Sequence, residues 1–269
     1  MLGKLLKYEI KATARLFLPL YLTLIIFTVI NSFLLFIPNA GENSFSFYGF
    51  LTTISMIIYV TLMIGLVAMT LIVMIQRFYK NLLGDEGYLM FTLPVKSWNH
   101  ILSKLTISIL WTVTSGIVAF FSIMFISSKN ISIPELLNMF SRAFDSFIQY
   151  FGASAYLISL EFIVLGLLSI ASTILVIYAA ISLGHLFNKY KLLASFGMYI
   201  ALQTVSQIIM SLSAAIFFNQ DIFRPGTPFI PSATLVTGIL LIGILYYGVF
   251  CAGYFALTNY ILKRKLNLE

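Results

Sequence analysis

Long, uninterrupted runs of apolar residues alternate with short polar segments along this chain. Six of the runs have the length, about 20 residues, that an α-helix needs to cross a hydrocarbon layer roughly 30 Å thick. They cover approximately residues 16–37, 50–75, 105–126, 156–181, 192–217 and 235–261. Backbone groups in the hydrocarbon region must be paired internally, so each run is predicted to be a helix. The chain is therefore predicted to be an all-α integral membrane protein, with residues 1–269 forming a single transmembrane domain.

The first fifteen residues precede the first run and have two different faces. The apolar face consists of Leu2, Leu5, Leu6 and Ile10, and the basic face of Lys4, Lys7 and Lys11. Glu9 is an exception, because it lies within the apolar arc. Two such faces are typical of a helix that lies in the membrane interface. Residues 1–15 are predicted to form an N-terminal interfacial helix of this kind.

A second amphipathic pattern lies between the third and fourth runs. Ser132 and Glu135 fit a capping box, and Pro134 suits the first helical turn. Apolar residues then recur at helical spacing, at Leu137, Phe140, Phe144, Phe147, Ile148 and Phe151. We expect a short helix that rests on the outer leaflet or caps the bundle. Residues 219–232, which are rich in proline, are expected to form an irregular cap before the last span.

The basic residues lie mostly on one side of the predicted spans. Thirteen fall on that side, at Lys4, Lys7, Lys11, Arg15, Arg77, Lys80, Lys96, Lys104, Lys189, Lys191, Lys263, Arg264 and Lys265. Only Lys129, Arg142 and Arg224 fall on the other. The positive-inside rule therefore predicts cytoplasmic termini and cytoplasmic loops at 76–104 and 184–191. This topology explains the net charge of +7, and basic residues dispersed along membrane edges do not favour nucleic-acid binding.

Residues that commonly carry chemistry are few. Cys251 is the single cysteine and is expected to be a small packing residue in the last span. His100 and His185 are the two histidines, and neither has metal-ligand spacing around it. No phosphate-binding loop and no Gly-x-Ser-x-Gly elbow occur in the sequence. We therefore expect no metal and no directly bound cofactor, and a chain that is not catalytic by itself.

Polar residues within the spans are candidates for a translocation path, because they are costly in lipid and usually face protein or water. Glu161 is the one acidic residue among them, and it has either a structural role or a role with substrate or protons. Gln203, Gln207 and Ser211 follow one face of the fifth span at i, i+4 and i+8. Two interpretations of this face stay open, namely hydrogen bonding between helices and the lining of a path.

A small-residue ridge occurs in the sixth span. It is formed by Gly248, Ala252 and Ala256. Small residues at this spacing let helix backbones approach closely in membranes. We therefore expect the ridge to pack against a neighbouring helix.

The loop between the second and third spans is unusually apolar. Within residues 84–94, Asp85 and Glu86 lie between two glycines, and large apolar residues follow at Tyr88, Leu89, Met90, Phe91 and Leu93. Connecting loops are normally more polar than this. The composition therefore indicates a surface that another protein contacts.

This loop also carries a family resemblance. The stretch 76–95, QRFYKNLLGDEGYLMFTLPV, closely resembles permease subunits of bacterial exporters of the ABC-2 type. The resemblance implies a cytoplasmic coupling helix that docks on a separate ATP-binding subunit and ends at Pro94. The implied contact residues are Asp85, Glu86, Gly87, Tyr88, Leu89, Met90 and Phe91. An alternative stays open, in which these residues pack only on this chain's own interfacial helices.

The resemblance also implies the assembly and its location. ATP and magnesium would be bound by the partner ATPase, and a second permease copy or a related permease would complete the path in the bacterial plasma membrane. The cargo would be a hydrophobic or amphipathic molecule, with a peptide favoured. Two alternatives stay open: a carrier or channel that needs no ATPase, and a membrane protein that senses or sequesters a peptide without pumping it.

Overall fold

The computed structural model describes residues 2–36, 47–84, 96–127, 133–187, 189–218 and 232–264, and these ranges contain helices and no strand. The helices are α1 (Leu2–Phe36), α2 (Phe47–Phe78), α3 (Ser97–Ser127), α4 (Ile133–Phe151), α5 (Ser154–Gly184), α6 (Lys191–Phe218) and α7 (Ala233–Arg264). A π-helical turn, Tyr79–Leu83, continues α2.

Within the described ranges, six helices are long and apolar enough to cross a membrane, namely α1, α2, α3, α5, α6 and α7. The prediction of an all-helical, multi-pass membrane protein is thereby confirmed. Each helix extends beyond its apolar run, because polar residues at a span end still pair their backbone groups within the helix. The largest extension is that of α1, which begins at Leu2 and not near residue 16. Helix α3 likewise begins at Ser97 and not near residue 105.

Helix α1 is continuous from Leu2 to Phe36 and contains Pro19. No break separates the predicted interfacial segment 1–15 from the first span, so the described part of that segment is the first part of one long helix. Glu9 is buried, with 8% of its surface exposed. Placement of this part of α1 in the membrane interface stays a prediction.

The predicted helix between the third and fourth spans is present as α4. Leu137, Phe140 and Phe144 are more than half exposed, so the chain itself leaves much of the apolar face of α4 uncovered. Its location at the outer leaflet stays a prediction. Ser132 of the predicted capping box lies outside the described residues, as do residues 219–231 of the predicted cap.

The chain divides into two compact units. Unit 1 comprises Met1–Met74 and Thr106–Phe144, and unit 2 comprises Ile75–Leu105 and Asp145–Glu269. The core of unit 1 contains the side chains of Phe17, Tyr21, Leu24, Leu66, Val73, Ile107 and Trp111. At its centre the rings of Phe17 and Trp111 stack with 4.5 Å between their centroids.

Polar side chains tie the three long helices of unit 1 together. Two serines of α3, Ser115 and Ser122, each contact both α1 and α2. The hydrogen bonds are Tyr21–Ser115 (2.8 Å), Thr70–Ser115 (3.3 Å), Thr28–Ser122 (2.7 Å) and Tyr59–Ser122 (2.8 Å). The Trp111 indole N–H also donates to the Thr13 hydroxyl at 2.8 Å. These polar groups therefore satisfy one another within the helix packing.

In unit 2, α5 packs against both α6 and α7. Helix α6 approaches α5 so closely at Gly184 that a β-carbon there would overlap the Ser195 hydroxyl. A β-carbon on Gly243 of α7 would come within 2.5 Å of Leu165 on α5.

The predicted packing ridge on α7 is not the site of close approach within the described chain. A β-carbon on Gly248 would meet nothing within 4 Å, and Ala252 and Ala256 are exposed. Packing of this ridge against a helix of another chain stays a prediction. Cys251 is half-buried and its Sγ lies 3.5 Å from the Leu168 carbonyl oxygen, in agreement with a packing role.

Candidate functional site

A cavity of about 220 Å³ lies between α5, α6 and α7, entirely within unit 2. Its lining residues are Ser172, Thr173, Val176, Gln203, Ser206, Gln207, Met210, Tyr246, Tyr247, Phe250 and Tyr254. They occupy the middle parts of their helices. Gln203, for example, is roughly 18 Å along the helix axis from Lys191 at the start of α6. A cavity at this depth would lie within the hydrocarbon layer.

The α6 wall of the cavity is a polar helix face. Gln203, Ser206, Gln207 and Met210 follow one another at i, i+3, i+4 and i+7, which is the spacing of a single face. The Ser206 hydroxyl donates to the Gln203 carbonyl of its own helix at 2.9 Å. Within the described part of the chain, neither glutamine amide has a hydrogen-bond partner. Each amide therefore presents both a donor and an acceptor.

The α7 wall of the cavity is aromatic. We call Tyr246, Phe250 and Tyr254 the aromatic ladder, since they succeed one another at i, i+4 and i+8. The ring centroids of Tyr246 and Phe250 are 4.7 Å apart, and those of Phe250 and Tyr254 are 5.6 Å apart. The Tyr246 hydroxyl donates to the Ser206 carbonyl oxygen on α6 at 2.7 Å, which fixes the ladder against the polar face.

The α5 wall contributes Ser172, Thr173 and Val176. Ser172 is more than nine-tenths buried, and so are Ser206 and Tyr254 on the other walls. Among the described residues that line the cavity, none carries a charge. The cavity is therefore suited to an uncharged ligand that makes hydrogen bonds on one side and apolar contacts on the other.

The structure brings together two of the four predicted path residues. Gln203 and Gln207 line the cavity. Ser211 does not, and its hydroxyl donates to the Ile208 carbonyl of α6 at 2.9 Å. The aromatic ladder was not predicted, although its signal, a Tyr-x-x-x-Phe-x-x-x-Tyr spacing within the last span, is present in the sequence.

Glu161 lies apart from this cavity. It is on α5, eleven residues before Ser172, which corresponds to roughly 16 Å along the helix axis. Only 9% of its surface is exposed, and its Oε2 atom has no hydrogen-bond partner in the described chain.

A second feature of unit 2 is the way it holds the start of the predicted coupling segment. Here α2 passes into its π-helical turn, in which Asn81, Leu82 and Leu83 are buried. The Phe78 ring stacks on Tyr178 of α5 with centroids 4.1 Å apart, and both residues are almost fully buried. The chain is thus fixed against α5 immediately before residue 84.

The described residues that follow the segment are held in unit 2 as well. The Ser97 hydroxyl, at the start of α3, donates to the Asn259 side-chain oxygen on α7 at 3.1 Å. Both flanks of the segment therefore attach to helices that also line the cavity. The seven predicted contact residues themselves, Asp85, Glu86, Gly87, Tyr88, Leu89, Met90 and Phe91, lie outside the described residues together with Pro94.

His185 follows α5 at this same end of unit 2. Its ring centroid is 5.1 Å from that of Tyr79 in the π-helical turn. Burial lowers the pKa of His185 below its ordinary value of 6.5, and the charge of Lys191 lowers it further. His185 therefore adds a neutral aromatic contact to the anchor of the segment near neutral pH.

Comparisons with known proteins identify no relative: no family model, no curated protein and no solved structure matches this chain. Within the described ranges, no group of three or more histidine, cysteine, aspartate or glutamate residues could hold a metal ion.

Proposed function

We propose that this chain is the permease subunit of an ATP-driven exporter of the ABC-2 type, coupled to a separate ATPase subunit. Its cargo is a hydrophobic or amphipathic molecule, with a peptide favoured. The observation that carries the proposal is the attachment of both flanks of segment 84–94 to the unit that contains the polar cavity. The resemblance of residues 76–95 to ABC-2 permeases supplies the identity of the partner.

Helix α5 provides the mechanical connection in this proposal. Tyr178, which holds Phe78, lies six residues after the cavity residue Ser172, roughly 9 Å along the helix axis. A force applied to the segment would therefore reach the cavity through a rigid helix. ATP binding would draw two ATPase subunits together, and the docked segments would move with them.

The assembly follows from the same proposal. Two permeases, identical or related, would face each other in the bacterial plasma membrane, and each would dock one ATPase that binds ATP and magnesium. The termini and the segment would be cytoplasmic, because the basic residues are concentrated at those ends. Buried aromatic and aliphatic residues often supply most of the energy of an interface, so Tyr88, Leu89 and Phe91 are assigned as apolar anchors.

Replacement of Phe91 tests this assignment. On this proposal, a separate ATPase subunit should copurify with the full chain, and its ATP hydrolysis in vesicles should be stimulated by substrate. Phe91→Ala should weaken the association about tenfold and lower the stimulated rate, because truncation of an interface anchor typically costs more than 1 kcal/mol. Phe162→Ala is the matched control, because Phe162 is 66% exposed on the membrane-spanning part of α5.

The alternatives give different results in the same vesicles. Unchanged assembly and unchanged coupling in Phe91→Ala would contradict the docking role. Movement of substrate by the chain alone, without ATP, would favour a carrier or channel. Saturable peptide binding without movement, and without any associated ATPase, would favour a protein that sequesters the peptide.

A further inference from the structure

We infer that the cavity between α5, α6 and α7 binds one uncharged residue of a hydrophobic peptide. The peptide group is held by the amides of Gln203 and Gln207, and the apolar side chain lies on the aromatic ladder. This inference rests on the proposed function, because it names the substrate class and the contact site of the exporter. It differs from that proposal in requiring no ATPase for binding.

The size of the cavity limits what it holds. Pockets for whole drug-sized ligands usually measure about 300 to 1,000 Å³, and this cavity measures about 220 Å³. It therefore accepts part of a longer molecule. A single residue of a peptide is a part of suitable size, with the rest of the chain continuing outside the cavity.

The lack of charged side chains among the described lining residues disfavours an ionic ligand group in this cavity. A phosphate, carboxylate or ammonium group taken out of water needs a charged partner or several strong hydrogen bonds. The described residues that line this cavity provide hydroxyls, amides and aromatic rings, with no charged side chain among them. The bound residue must therefore be uncharged.

The hydrogen-bonding groups favour a peptide over a lipid ester. A glutamine amide has two donor hydrogens and an acceptor oxygen, and a peptide group offers an acceptor and a donor in one plane. A lipid ester offers only acceptors, so it leaves the glutamine oxygens without a donor. Peptide groups in the hydrocarbon layer in turn need partners, because each unpaired group is costly there. The two unpartnered amides at mid-helix meet this need.

The aromatic ladder provides the apolar half of the site. Tyr246 and Phe250 line the cavity and offer apolar contact to a ligand side chain. The Tyr246–Ser206 hydrogen bond holds Tyr246 in place before a ligand arrives, and the Phe250 ring packs on it. A preorganised wall reduces the ordering cost of binding. The amide face and the ladder belong to different helices, α6 and α7, so a relative movement of these helices would open or close the site.

Direct binding to the full chain in lipid nanodiscs tests the inference. The probe is a ten-residue peptide of leucine, alanine and phenylalanine, acetylated and amidated at its ends and carrying a fluorophore, with empty nanodiscs as the background. Wild-type chain should bind it saturably. Gln203→Leu and Gln207→Leu should each weaken binding about tenfold, since each removes hydrogen bonds to the peptide group. Thr204→Val is the matched control, because Thr204 is exposed and bonds only to its own helix.

A second probe separates peptide from lipid. A peptide with the same side chains but methylated backbone nitrogens has no N–H donors, and it should bind wild-type chain about tenfold more weakly. Equal binding of both peptides, or displacement of the first by trioleoylglycerol, an ester without a hydrogen-bond donor, with equal strength, would overturn the assignment to a peptide. Equal binding to wild type and Gln203→Leu, or no saturable binding at all, would overturn the site.

Folding and the exporter proposal are controlled separately. Phe250→Leu removes a ring of the aromatic ladder but keeps an apolar side chain, and it should also weaken peptide binding. The test of the site therefore does not rest on the glutamine variants alone. Thermal unfolding of each variant shows that weak binding is not misfolding. If the peptide binds but no ATPase associates, the exporter proposal fails and the site stands. If the ATPase associates but the peptide does not bind, the site fails and the exporter stands.

Discussion

The two units use polar residues in opposite ways. In unit 1, hydroxyls from α1 and α2 meet at Ser115 and Ser122 of α3, and the four hydrogen bonds at these serines each join two helices. In unit 2, the serines of α6 bond to their own helix, and the amides of Gln203 and Gln207 face a cavity. Polar residues within the long helices thus stabilise packing in one unit and line a cavity in the other.

The difference shows which observation distinguishes a structural polar residue from a functional one. A hydroxyl that bonds across to another helix stabilises the bundle by about 0.6 to 2 kcal/mol. An amide without a hydrogen-bond partner adds no such stabilisation to the bundle, and its desolvation costs free energy. Unit 2 retains such amides while its helices are held elsewhere, at Gly184–Ser195, Phe78–Tyr178 and Ser97–Asn259. We take this arrangement as a sign that the amides serve a ligand.

The largest effect should come from the contact that holds α5 and α6 together. In Gly184→Ala the new β-carbon would overlap the Ser195 hydroxyl and lie 2.5 Å from the Ser195 backbone nitrogen and α-carbon. Backbone cannot yield as a flexible side chain does, so α6 must shift. Overpacking of this kind typically costs about 1 to 3 kcal/mol and sometimes more. The unfolding temperature should therefore fall. It can be measured from the rate at which the half-buried Cys251 thiol becomes accessible to a labelling reagent as the temperature rises.

Gly197→Ala is the matched control for this change. Gly197 lies two residues after Ser195 on α6, and a β-carbon there would meet nothing within 4 Å. Because alanine is favoured over glycine in a helix by about 1 kcal/mol, this variant should be as stable as wild type or more stable. Equal unfolding temperatures for the two variants would show that α5 and α6 are not clamped at Gly184.

A smaller loss is expected from a bridging serine of unit 1. Ser122→Ala removes the hydrogen-bond partner that Tyr59 and Thr28 share. The Tyr59 hydroxyl would then be buried without that partner, and the free energy of unfolding should fall by about 1 to 2 kcal/mol. Thr114→Val on the same helix removes a hydroxyl that bonds only to the Leu110 carbonyl of α3, and it should have little effect.

Peptide binding to the nanodisc-embedded chain should be unchanged in Ser122→Ala, because Ser122 belongs to unit 1. A loss of binding without a loss of stability would reverse the assignment of roles to the two units. Thermal unfolding and the fluorescent-peptide assay on the same samples provide the two measurements.

The fold could be predicted from the sequence because the membrane restricts the chain so strongly. Apolar runs of sufficient length must be helices in hydrocarbon, and the described residues of all six predicted runs are helical. The helix ends were less predictable. The start of α3 at Ser97 depends on backbone pairing and on the contact with Asn259, neither of which hydropathy records.

The roles of polar residues could not be predicted, because they depend on which helix faces which. The sequence left two interpretations of the Gln203–Gln207 face open, and it predicted no role for Tyr21 or Ser115. The hydrogen bond between Tyr21 and Ser115 joins residues 94 positions apart. Likewise, the aromatic ladder becomes part of a site only when α7 packs beside α6. Spacing within one helix identifies a face, and only the packing shows what that face meets.

The smallest expected effect on stability is also the sharpest test of the comparison. Gln203→Leu replaces an amide that has no partner among the described residues with an apolar group of similar size. No hydrogen bond between helices is lost, and a polar group is removed from the membrane interior. The free energy of unfolding, measured by thermal unfolding, should therefore stay within about 0.5 kcal/mol of the wild-type value or increase. Ser122→Ala should destabilise the chain under the same conditions. If Gln203→Leu is instead the more damaging variant, its amide holds helices together, and the polar face of α6 is structural in the same sense as the serines of α3.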